Sequence, residues 1–148
     1  MKKVNTSAKR RGPRARLASP GNFPRTIPAL ARAQRVTESA SHFGFDWPGP
    51  EPVWDKVEEE LSELKSAVAS GDKNRAAEEM GDLLFSLVNL SRFLDLEAEQ
   101  TLSRSVDRFL KRFGHIEASI RKEGKSLTEA SLAEMDALWE EAKEMERK

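Results

Sequence analysis

Residues 76–94 read AAEEMGDLLFSLVNLSRFL. Apolar side chains at Met80, Leu83, Leu84, Phe85, Leu87, Val88, Leu90, Phe93 and Leu94 recur at three- and four-residue intervals and cover much of a helical circumference. The spacing predicts a helix over about Asp72 to Leu94, capped by Asp72 and forming the central, most buried element of the fold. Two residues sit badly in it: a mid-helix Gly81 and an adjacent Asp82 each weaken a helix by about 1 kcal/mol or less. Gly81 points to a close approach by another helix or a ligand, and Asp82 points to a cation.

Working outward, the same periodicity returns on both sides. Upstream, Val53, Val57, Leu61, Leu64 and Val68 form one stripe of a helix over about Val53 to Ser70, which Gly71 ends. An aromatic and proline turn from Phe43 to Pro52 separates it from an earlier helix over about Pro28 to His42. Downstream, Leu102, Val106, Phe109, Leu110, Phe113, Ile116 and Ile120 give the core positions of a helix over about Leu96 to Glu123, closed by Gly124. Ser131 and Glu134 make a capping box for a last helix containing Met135, Leu138, Trp139 and Met145. All seven prolines lie at or before Pro52, and no strand-like alternation of useful length appears. The fold class is all-α, a bundle of four to five helices.

The 148 residues suit one ordinary domain with a real core. The formal net charge of zero conceals an asymmetry, because residues 1–35 carry ten Lys or Arg and no acid. Residues 1–25 lack periodicity and have few large apolar groups, and read as a disordered basic arm; residues 26–148 read as the folded domain. A transit peptide has a similar composition, and nucleic-acid contact by the arm through phosphate neutralisation is a minor reading. No stretch is apolar enough to span a bilayer and the first residues lack the apolar run of a secretory signal, so no membrane partner is expected; the lack of cysteine fits a reducing cytosol.

The chemistry concentrates in two acidic pairs, Glu60 with Glu63 and Glu79 with Asp82, each at i,i+3 spacing on one helix face. Alone, Glu60 and Glu63 are an ordinary solvated face, whereas Asp82 beside Gly81 is harder to read that way. Packed side by side, the two helices would gather four carboxylates at the edge of an apolar core, which costs several kcal/mol without cations. Hard oxygen ligands without His or Cys favour Mg²⁺, with Mn²⁺ as a substitute. A di-iron centre would need Glu-x-x-His pairs, and neither His42 nor His115 has a Glu three residues before it. Such ions serve a polyanionic substrate best, and basic groups are at hand: Arg108, Lys111 and Arg112 within a turn of one another, and Lys143 one turn after Trp139. The bland alternative is a set of solvated charges around a core tryptophan.

Four ordered motifs now carry a resemblance. They are Phe43-Gly44-Phe45-Asp46-Trp47-Pro48, Asp55-Lys56-Val57-Glu58-Glu59-Glu60-Leu61-Ser62-Glu63, Glu78-Glu79-Met80-Gly81-Asp82-Leu83-Leu84-Phe85, and Met135-Asp136-Ala137-Leu138-Trp139-Glu140-Glu141-Ala142-Lys143. Over about Ala29 to Lys143 the chain resembles the MazG nucleoside triphosphate pyrophosphohydrolases, in particular the C-terminal catalytic half of the two-domain bacterial form. The resemblance implies an intertwined all-α homodimer that cleaves a nucleoside triphosphate to the monophosphate and pyrophosphate with Mg²⁺ and an activated water. By motif, Glu60, Glu63, Glu79 and Asp82 would be the catalytic metal ligands. Lys56, Arg108, Lys111, Arg112 and Lys143 would hold phosphates, and Trp139 would lie beside the nucleotide.

Three departures qualify the likeness. Val106 stands where the family usually has an Asn, the loop between the acidic helices is about two residues shorter, and the N-terminal half of the two-domain form has no counterpart here. They motivate an alternative, a catalytically weak helical dimer that senses nucleotides or docks another protein.

Overall fold

The computed structural model describes residues 18–148, and residues 1–17 of the expected basic arm lie outside them. Five α-helices follow in order: α1 (Ala29–His42), α2 (Pro50–Ala69), α3 (Lys73–Phe93), α4 (Ala98–Lys122) and α5 (Leu132–Glu146), with short 3-10 turns at Pro20–Asn22 and Leu127–Glu129. There is no strand among the described residues, so the fold is all-α. The chain divides into two compact units, one ending at Glu99 and the other running from Gln100 to Lys148.

In the first unit α2 packs along α3, and α1 lies against α3. The link between α2 and α3 is three residues long, which makes them a helical hairpin. Its turn is written locally. Gly71 takes a left-handed φ of 73°, its N–H returns to the Val68 carbonyl, and the Asp72 carboxylate accepts from the Arg75 N–H at 3.1 Å. Helix α3 stops through Asp95, a non-glycine residue at φ 56°, while the Leu96 N–H reaches back to the Ser91 carbonyl at 2.9 Å. Gln34 of α1 clamps this exit, accepting from the Ala98 N–H at 2.7 Å and donating to the Leu96 carbonyl at 3.0 Å.

Ahead of α1, the 3-10 turn at Pro20–Asn22 falls within the stretch expected to be an arm, and Ser39 Oγ donates to the Ala18 carbonyl. Between α1 and α2, Asp46 receives a two-pronged bond from Arg92, at 3.0 and 2.6 Å, and accepts from its neighbour Trp47 N–H at 2.8 Å. That pair ties the aromatic turn to α3. Pro50 stands in the first turn of α2, where its missing N–H costs nothing.

In the second unit α4 ends at Gly124, with φ 75°, and two capping boxes, Ser126 with Glu129 and Ser131 with Glu134, direct the chain into α5. Phe109 stacks parallel to Phe113, with centroids 5.9 Å apart, and meets Trp139 of α5 at 5.4 Å.

Burial departs from the periodicity in three helices. Val88 and Leu90 of α3 are buried, but Met80, Leu84, Phe85 and Leu87 are exposed, so α3 is not buried all round. Of the core positions expected in α4 only Ile116 and Ile120 are buried, whereas Leu102, Val106, Phe109 and Leu110 are about half exposed. Helical spacing identifies the apolar face; it does not say what covers that face. On α2 the expected Val68 is exposed and the smaller Ala67 takes the buried position.

Candidate metal centre

Five acids converge on the α2–α3 hairpin. Glu60, Glu79 and Asp82 each offer a carboxylate oxygen within 4.8 Å of the others, and Glu59, Glu60 and Glu63 do the same. The hairpin geometry explains this, because residues three apart share a helix face and an antiparallel neighbour brings the second pair alongside. Glu60 belongs to both groups and is 3% exposed, which makes it the hub. Its Oε2 is buried and accepts no hydrogen bond. A buried carboxylate oxygen without a donor is costly, and a cation relieves that cost.

Electrostatics carry the same mark. Glu79 beside Glu63, with burial and Glu60 as lesser causes, pushes the Glu63 carboxyl above the usual range. Two bases answer in part. Lys56 Nζ lies 2.5 Å from Glu60 Oε1 and 3.2 Å from Glu59 Oε1, and the bond to Glu60 is the main reason its ammonium is pushed up to about 12. Arg75 Nε reaches Glu79 Oε1 at 3.4 Å.

Arg75 was not among the sequence candidates, yet a signal for it exists: Arg75 precedes Glu79 by four residues, as Lys56 precedes Glu60. Gly81, read as a point of close approach, has no heavy atom within 4 Å of where a Cβ would stand, so no neighbouring element of the described chain requires a glycine there.

The remaining candidates belong to the second unit. Arg112 of α4 donates to Glu146 of α5 at 2.8 Å, and its guanidinium lies 5.4 Å from the centre of the Trp139 ring. Lys111, Arg112 and His115 line a cleft of about 170 Å³ against Ala142, Met145 and Glu146. Arg108 donates to Ser105 at 2.9 Å, and Lys143 pairs with Glu140 on its own helix at 3.2 Å. Neither histidine joins a carboxylate cluster among the described residues.

The oxygen-only donor set and the orphaned Glu60 oxygen fit a divalent cation, with Glu60, Glu79 and Asp82 as its holders and Glu63 alongside. The hairpin thus defines a class, an all-α protein with a carboxylate centre able to hold a divalent metal. Residues 49–116, covering α2, α3 and most of α4, match the family model of the MazG nucleotide pyrophosphohydrolase domain, so over this stretch the chain carries a MazG-type domain.

A protein named nucleoside triphosphate pyrophosphohydrolase/pyrophosphatase MazG, from Thermotoga maritima, is 48% identical over 117 residues, covering 79% of this chain and 45% of the relative. The nucleoside triphosphate pyrophosphohydrolase of Escherichia coli K12 is 37% identical over 138 residues, covering 92% of this chain and 52% of the relative. The chain therefore spans about half the length of these curated relatives.

Proposed function

We propose that the protein is a Mg²⁺-dependent nucleoside triphosphate pyrophosphohydrolase. Water attacks the triphosphate, the bridge between the α- and β-phosphorus breaks, and the monophosphate and pyrophosphate leave. The observation that carries this reading is Glu60, buried at the centre of the carboxylate cluster with one oxygen lacking any donor. The two pyrophosphohydrolase relatives support the choice of reaction.

The cation supplies Lewis acidity at the phosphates and an acidified water. Glu60, Glu79 and Asp82 hold it, and Glu63 adds negative charge beside them. Arg108, Lys111, Arg112 and Lys143 bind phosphate oxygens, joined by Lys56 from α2, and Trp139 stacks on the base. A homodimer completes the reading: the exposed apolar residues of α3 and α4 form faces that a second copy would cover. The cytosol, where nucleoside triphosphates are abundant, is the compartment that suits such an activity.

The test is a panel of NTPs and dNTPs with Mg²⁺, quantifying pyrophosphate and monophosphate, with Asp82→Asn as control. Both products in equal amounts, abolished in the control while its helical signal is intact, are expected. Activity surviving Asp82→Asn and Glu60→Gln would sink the assignment of the centre. Nucleotide binding without pyrophosphate release would favour the sensing or docking role that Val106 motivates.

A further inference from the structure

The two helices that supply the carboxylates also supply a base each, placed alike. Lys56 stands one turn before Glu60 on α2, and Arg75 one turn before Glu79 on α3. Both reach the acid that follows them, and Lys56 is shared with Glu59. On a solvated helix such pairs are commonplace and do little. These differ because their acids are the inner members of the cluster: the Glu60 side chain is 4% exposed and the Glu79 side chain 13%, whereas those of Lys56 and Arg75 are 32% and 47% exposed. The carboxylates are fixed by packing, and the bases reach in from the rim on long, flexible side chains.

We propose that Lys56 and Arg75 are resident counter-cations of the carboxylate cluster, positioning residues that set its affinity for divalent ions by competing for Glu60 and Glu79. The proposal rests on the reading of the cluster as a metal centre. Either outcome of cation uptake involves the two bases. If they stay, a dication sits one carboxylate away from two positive charges and is repelled by each. If they swing out, the ion pairs are lost. Both routes weaken binding, so each base holds the centre below the affinity its acids alone would give it. The same bases offset the like charges of the cation-free cluster, Lys56 at Glu60 and Glu59 and Arg75 at Glu79.

The experiment is a Mn²⁺ titration by calorimetry on EDTA-stripped wild type, Lys56→Met, Arg75→Met and the double variant, with thermal unfolding by circular dichroism. Lys56→Arg keeps the charge and serves as the rescue; Lys56→Gln is the second neutral variant should the Met form not fold. Each neutral variant should bind Mn²⁺ about tenfold more tightly, the size expected of one screened unit charge a few ångströms away, and the double variant more tightly still. Lys56→Arg should bind like the wild type. The stripped neutral variants should melt below the stripped wild type and gain more from Mn²⁺, a crossing that a purely structural ion pair does not produce. Unchanged or weaker Mn²⁺ binding in folded neutral variants overturns the proposal. A wild type that takes up no Mn²⁺ overturns the metal-centre reading itself, and the proposal with it.

Discussion

Asp46 and Arg92 are 46 residues apart in the chain and joined by two hydrogen bonds, with side chains only 19% and 14% exposed. Arg92 also donates to Asn89 at 3.2 Å, and its Nε is buried without a partner. Nothing in the local sequence announces this pair. Asp46 sits in an aromatic turn and Arg92 in the last turn of α3, where a base is expected for the helix dipole. Asp46→Ala leaves a largely buried guanidinium without its acid, and should cost about 2–3 kcal/mol in urea unfolding. Asp46→Asn, which keeps one acceptor, should cost less. The carboxylates at the centre present the opposite case. Their i,i+3 spacing was plain in the sequence, and the apolar stripe of α2 puts Glu60 at its border and Glu63 further round; how deeply Glu60 is buried depends on how α2 is rotated against α3.

Helix ends were the most legible features, because a cap is made by residues within one turn of each other. Gly71, Asp72, Gly124 and the Ser131–Glu134 box all stand where the sequence puts them. Ser131→Ala removes the acceptor for the Glu134 N–H, and should cost about 1 kcal/mol, read as a fall of roughly 4 °C in Tm. Helix α5 also leans on two lowered carboxyls: Glu134, held down first by its backbone bond to Ser131 and then by Lys125, and Glu146, held down by Arg112. A carboxyl lowered in the folded state adds stability that is present above its ordinary value of 4.5 and is lost as pH falls below it. Glu146→Gln should therefore melt lower than the wild type near neutral pH and converge with it in acid, which a pH series of thermal scans reads directly.

For the whole molecule, the decisive fact is how much large apolar surface α3 and α4 leave exposed, from Met80, Leu84, Phe85 and Leu87 to Leu102, Val106, Phe109 and Leu110. So many large apolar side chains left open to solvent fit faces that a partner covers. The proposed homodimer predicts a solution mass near twice the 16.6 kDa of the chain by ultracentrifugation, and Leu110→Asp should shift it toward the monomer. A wild type that sediments as a monomer would falsify the dimer. Composition and periodicity were sufficient for the all-α class, a bundle of four to five helices and the caps at Gly71, Asp72, Gly124 and Ser131, since these depend on backbone geometry and contacts a turn or less apart. Helix rotation, the burial of Glu60, the Asp46–Arg92 bridge and the exposure of half the apolar positions emerged only when the helices packed, because they depend on which face meets which neighbour across dozens of residues.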